Sequence, residues 1–231
     1  MLLGLVGSEM CIRDRPNSFI NSIKYEYPTS KNVAQISSLP KDSVVLAAFH
    51  KTSKLSEEVV NAWANILIKS ENTYLWLKKP INSAKENLLS FLTSRKIDKE
   101  RILFAEHVSS NEEHVSRYCS ADIFLDTFNY NGHSTLVECI WSELPFVTLL
   151  GKSFSSRVGG SILHSLDLDE LICNSISEYV EKIVFYSSNK QKLKVLKNKI
   201  KNQKKSGVFF NQKVFTKNLE EVYENILRMN H

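Results

Sequence analysis

Three short segments gather side chains that can handle a phosphate or another anion. The first, His50-Lys51-Thr52-Ser53-Lys54, directly follows the apolar run 44–49. The second surrounds His107 and leads to His114 and Arg117. The third is Asp126-Thr127-Phe128-Asn129-Tyr130-Asn131-Gly132-His133-Ser134-Thr135. There an apolar run ends at Asp126, Gly132 permits a close backbone approach, and Ser134-Thr135 open a helical pattern. N–H groups at a helix start have no intrahelical acceptor, and with two hydroxyls beside them they suit a phosphate. The glycine carries weight because the chain has only seven. Glu138 falls one turn further on, where a carboxylate can accept hydrogen bonds from ribose hydroxyls. A plainer reading competes, in which Ser134 merely caps the helix. Lys51 and Lys54 can likewise neutralise a departing diphosphate, or be two solvated loop lysines.

The surrounding pattern alternates short apolar runs with amphipathic stretches. Runs at 44–49, 74–77, 101–105, 122–126 and 146–150 predict five strands, the first apolar throughout, as expected when both faces are covered. Between them, Val59, Ala62, Trp63, Ile66 and Leu67 recur at helical spacing behind a Ser56-Glu57-Glu58 start. Residues 85–94, 111–118, 134–142 and 156–165 also predict helices. Strands alternating with helices imply a parallel sheet with right-handed crossovers. The fold class is therefore α/β, a Rossmann-like sheet with helices on both faces. Ligands of such sheets bind beyond the carboxyl ends of the strands, where the three segments fall. Residues 176–186, 190–204 and 215–227 predict three further helices, the last with a stripe of Phe215, Leu219, Val222, Tyr223, Ile226 and Leu227.

Composition narrows the function classes. With 42% apolar and 24% charged residues in 231, the chain reads as an ordinary globular protein. No apolar run approaches the length of a membrane span, and a net charge of +5 does not argue for nucleic acid. Residues 190–205 hold eight lysines, but Leu193, Leu196 and Ile200 recur at helical spacing and favour a solvated amphipathic helix. Cys11, Cys119, Cys139 and Cys173 form no metal-type spacing or disulfide framework, so a reducing, cytoplasmic location is expected. Asp167-Leu168-Asp169 resembles a DxD metal motif but follows a helix and sits in an expected turn. No metal role is assigned to it. Trp63, Trp76 and Trp141 fall on apolar faces and are expected in the core. Arg157 is expected to be structural or solvated, and His107, His164 and His231 receive no role.

Residues 1–15 resemble translated adapter sequence and are expected to be non-native, which would make the chain N-terminally truncated. Residues 16–43, with Pro16, Pro28 and Pro40, are expected to connect to one nucleotide-binding domain over 44–231.

From about 39 to 227 the chain resembles the C-terminal catalytic half of the O-GlcNAc transferase and SPINDLY family. The landmarks are Trp63-Ala64-Asn65-Ile66-Leu67, Leu75-Trp76-Leu77, Glu112-Glu113-His114-Val115 with Arg117, and Ala121-Asp122. They continue with Leu125-Asp126-Thr127, Asn131-Gly132-His133-Ser134-Thr135 and Ser156-Arg157-Val158, in order and at matching spacing. The resemblance implies the C-terminal half of a two-domain, B-type glycosyltransferase. Such an enzyme inverts configuration, works without a metal or cofactor, and transfers a sugar from a UDP- or GDP-sugar to protein Ser or Thr. Lys54 and His133 would be catalytic, with Lys54 on the diphosphate. Asn131, Gly132, Ser134 and Thr135 would meet the phosphates, Glu138 the ribose, and His114 and Arg117 the base. Lys51 replaces a usual Asn or Gln. Ser134 replaces a usual Thr, and Tyr130 a small residue of the animal members. The acceptor would be recruited through N-terminal regions, including tetratricopeptide repeats. A glycosyltransferase with another acceptor, and a non-catalytic nucleotide-binding or interaction module, remain as alternatives.

Overall fold

The computed structural model describes residue 20 and residues 34–229. The expected non-native stretch 1–15, most of the connecting segment 16–43, Cys11 and His231 lie outside the described residues. Within them, β1 (Val44–Ala48), β2 (Thr73–Lys78), β3 (Ile102–Ala105), β4 (Ile123–Leu125), β5 (Phe146–Leu149) and β6 (Ile172–Cys173) form one sheet. Its order is β3-β2-β1-β4-β5-β6, and every pairing is parallel. All five residues of β1 are buried, which accounts for its unbroken apolar run.

Sequence reading missed β6. It is two residues long, too short to show a period, and its pairing of Thr148 with Ile172 and Leu149 with Cys173 comes only from the fold.

After a single helical turn at Ala34–Ser37, the helices are α1 (Glu57–Lys69), α2 (Asn82–Ser94), α3 (Asn111–Ser116), α4 (Ser134–Trp141), α5 (Val158–His164), α6 (Ile176–Ser187), α7 (Lys190–Ser206) and α8 (Gln212–Met229). Ser56 caps α1 by accepting from Val59 N. The helix buries Val59, Ala62, Trp63, Ala64, Ile66 and Leu67, and all three tryptophans lie in the core. The 111–118 helix of the sequence reading is split: α3 ends at Ser116 and a 3-10 turn, Arg117–Ser120, completes it. That turn buries Arg117 and Tyr118 on one side.

The lysine-rich α7 is strapped to the body. Leu193, Leu196 and Ile200 are buried, while Lys190, Lys197, Lys199 and Lys204 pair with Asp42, Asp122, Glu170 and Glu143. Asp167 takes a left-handed φ of 55° in a turn, and Asp169 opens a 3-10 turn and pairs with the exposed His164. Among the described residues no His, Cys, Asp and Glu cluster could hold a metal ion, and no helix is long and apolar enough to cross a membrane.

Strand order reverses between β1 and β4. In doubly wound sheets a crevice opens at that point beyond the strand ends. The loops leaving β1 and β4 are the two lysine- and glycine-bearing segments singled out above.

Candidate functional site

Lys54 ends a 3-10 turn, Thr52–Lys54, just past β1. Its Nζ donates to the Asn131 carbonyl at 2.8 Å and lies 4.1 Å from the centre of the Tyr130 ring. The Tyr130 ring, 47% exposed, stacks on His133 at 4.9 Å between centroids. The fold thus brings Lys54, Asn131 and His133 together across 77 residues of sequence. Burial pushes the Lys54 ammonium down from 10.5, opposed by Asp126 and assisted by Lys51. Lys51 is exposed, beside this cluster but outside it. His133 is also pushed down, first by burial and then by Lys54, with a backbone hydrogen bond to Ser155 working the other way.

The N-cap of α4 is His133, with no side-chain cap. Ser134 is therefore the first helical residue, and the plainer capping role falls away. Leu136 N and Val137 N donate to the His133 carbonyl. Ser134 is exposed and Thr135 half-buried, both at the mouth of the helix. This end offers hydroxyls and N–H dipoles to an anion, and the Lys54 ammonium rests on the loop that leads into it.

Two of the expected ligand residues serve the loop itself. Gly132 N donates to Asp126 Oδ1 at 2.7 Å, so it is not free to meet a phosphate. Its lack of a side chain matters sterically, because a Cβ would come within 3.0 Å of the His50 ring and of Leu136. The Asn131 side chain is buried, donating to Thr127 O at 2.7 Å and accepting from Gly159 N at 3.1 Å.

A second arm leads toward α3. Glu138 accepts from Tyr118 Oη at 3.0 Å and lies 3.7 Å from His114 Nε2. Burial pushes Glu138 up, against the Tyr118 hydrogen bond. Burial, then Arg117 and Lys78, push His114 down. Burial thus opposes the charged form of both partners in this contact. Arg117 is buried and donates to the Glu106 carbonyl, which fixes the loop after β3. A cleft of about 470 Å³ opens there, lined by Phe49, Pro80, Glu106, His107, His114 and Arg117 among others. His107, which has no partner pattern in the sequence to give it a role, lines this cleft from the loop after β3.

His50 and Asp126 lie under the site and were given no role from sequence. His50 Nε2 donates to Leu125 O at 2.9 Å, while its buried Nδ1 has no hydrogen-bond partner. The ring is therefore the neutral Nε2–H tautomer, and burial pushes its pKa down to about 4. A depressed histidine contributes stability that is complete above the unfolded value of 6.5 and is lost as pH falls toward 4. His50→Gln keeps a donor without the titration. The stability of the unsubstituted protein relative to this variant is expected to grow by roughly 3 kcal/mol between pH 4 and 6.5, then stay constant. Urea midpoints at four pH values across this range would measure the difference.

Residues 25–219 match glycosyl transferase family 41. A probable UDP-N-acetylglucosamine–peptide N-acetylglucosaminyltransferase SEC of Arabidopsis thaliana is 31% identical over 211 residues, covering 89% of this chain and 22% of that protein. A probable SPINDLY enzyme of Solanum lycopersicum is 28% identical over 92% of this chain and 23% of its own length. This chain therefore spans about a fifth of the length of these relatives. A solved O-GlcNAc transferase mutant from Thermobaculum terrenum shares the fold, with a TM-score of 0.75 at 22% identity over 89% of this chain and 41% of that one. The lipopolysaccharide glycosyltransferase WaaG shares it at a TM-score of 0.59 and 12% identity, again over about half of its chain (52%). The match over residues 25–219 and the 31% identity across 89% of the chain place it in glycosyl transferase family 41.

Proposed function

We propose that this chain is the donor-binding half of an inverting glycosyltransferase that moves a sugar from a UDP- or GDP-sugar to protein Ser or Thr. The observation that carries the reading is the Lys54 ammonium at the Asn131 carbonyl, on the loop that feeds α4. That placement sets a cation against a helix N-terminus, a geometry suited to a diphosphate. Lys54 stabilises the charge that develops as the sugar–phosphate bond breaks. Ser134, Thr135 and the first N–H groups of α4 hold the phosphates, with His133 beside them. Glu138 takes the ribose, and the cleft at His114 and Arg117 takes the base. In this scheme Lys54 and the helix do the work that a metal does elsewhere, so transfer is expected to proceed undiminished in a chelator.

The relatives named as peptide N-acetylglucosaminyltransferases are four to five times longer than the match, which supports an acceptor side in other regions. We place the acceptor contacts and any tetratricopeptide repeats there, with no nucleic-acid or membrane partner. The free thiols Cys119, Cys139 and Cys173 support a cytoplasmic setting.

A phosphate-number series tests the reading. UDP or GDP is expected to bind at least about tenfold tighter than the matching monophosphate, since the second phosphate completes the charge-assisted contacts. Equal affinity for mono- and diphosphates would contradict it.

A further inference from the structure

We propose that Asp126 is a positioning residue for this site, its carboxylate pinning the 127–132 loop from beneath and setting the charge around Lys54. The proposal takes from the diphosphate reading only the purpose of the loop. The clamp stands on the contacts themselves.

Asp126 ends β4 and is fully buried. Its Oδ1 accepts from Thr127 N at 2.9 Å and from Gly132 N at 2.7 Å, so one oxygen ties both ends of the loop. Its Oδ2 accepts from Thr148 Oγ1 on β5 at 2.7 Å. Within the loop, Thr127 Oγ1 donates to Tyr130 O at 2.7 Å, and the Asn131 carbonyl receives Lys54. Holding Gly132 therefore holds the acceptor on which Lys54 rests, and His133 at the head of α4 follows Gly132 directly.

Three donors converge on the carboxylate, an arrangement that favours the ionised form. Against them, burial pushes the group up to about 7. The charged or titratable groups facing it are few. His50 Nε2 is 3.9 Å away and committed to Leu125 O. Tyr179 on α6 donates to the Asp126 carbonyl at 3.1 Å. The Cys139 thiol on α4 is pushed up by burial, then by Glu138 and Asp126. Lys54 is the cation of this set, and Asp126 acts to raise its pKa against burial. An ion under an anion site is costly to bury. The cost is consistent with a group that keeps a half-buried lysine protonated where a diphosphate must meet it.

The test uses the unliganded chain, with lysine side-chain NMR and amide exchange at Gly132. In Asp126→Asn, which preserves shape and removes charge, the Lys54 pKa should fall by roughly half a unit or more. Exchange at Gly132 should quicken about tenfold at pH 8. A folded Asp126→Asn protein with Lys54 and Gly132 both unmoved would overturn the proposal. If that variant does not fold, Thr148→Val decides. Loss of one donor should quicken Gly132 exchange about threefold at pH 7, and no change there would equally overturn it. Neither readout involves nucleotide. A chain that ignored UDP and GDP would sink the proposed function and leave the clamp standing, whereas UDP or GDP bound equally tightly by Asp126→Asn would break the link between clamp and site.

Discussion

Gly159→Ala is expected to cost roughly 1–3 kcal/mol of stability through overpacking and to abolish nucleotide binding. A Cβ at this position would lie 2.5 Å from Thr148 Oγ1 and 2.7 Å from Asp126 Oδ2. Neither atom can swing aside, because each is buried and the two are hydrogen-bonded to one another. Relief must come from moving the start of α5, which breaks the Gly159 N–H bond to Asn131 and loosens the loop that carries the Lys54 acceptor. Gly160→Ala is the control. Its Cβ would meet the end of the Leu150 side chain at 2.8 Å, which can rotate, so a smaller loss is expected and the site should survive. Urea midpoints together with nucleotide titration of both variants would separate the two cases.

Lys54→Ala, in a protein carrying both catalytic halves, is expected to lower transfer by about 10²–10³-fold. Lys54 rests on a neutral carbonyl rather than a carboxylate, which under the proposed function leaves its charge for a departing diphosphate. Most of the loss should fall on kcat, because charge on the leaving group is greatest as its bond breaks. Lys54→Arg keeps the charge but not the compact ammonium fitted between Tyr130 and Asn131, and only partial rescue is expected. Turnover measured at saturating donor distinguishes a loss in kcat from simple weak binding.

The middle of the sheet was legible because β1 and β4 are buried throughout and read as unbroken apolar runs. The helices were legible from period and caps, as with Ser56 before α1. What could not be read were features created by long-range contact. β6 exists only through its pairing with β5. His50, Asp126 and Thr148 lie far apart in sequence and meet only because β1, β4 and β5 are neighbours. The site residues were legible as types: hydroxyls, a glycine and lysines at strand ends. Their division of labour was not. Gly132 and Asn131 read as ligand contacts, yet the Gly132 amide and the Asn131 side chain are spent inside the loop. Arg117 read as a base contact, yet it is anchored to the Glu106 backbone. Such commitments depend on the chain's path between Asp126 and Ser134, which no local pattern encodes.

The most direct test is a calorimetric titration of this chain and of its Lys54→Ala variant with UDP and GDP. If the diphosphate sits between Lys54 and the start of α4, one nucleotide should bind in the micromolar range and weaken at least about tenfold in the variant. The tighter nucleotide identifies the base. Binding that is indifferent to Lys54 would contradict the placement of the donor in this crevice.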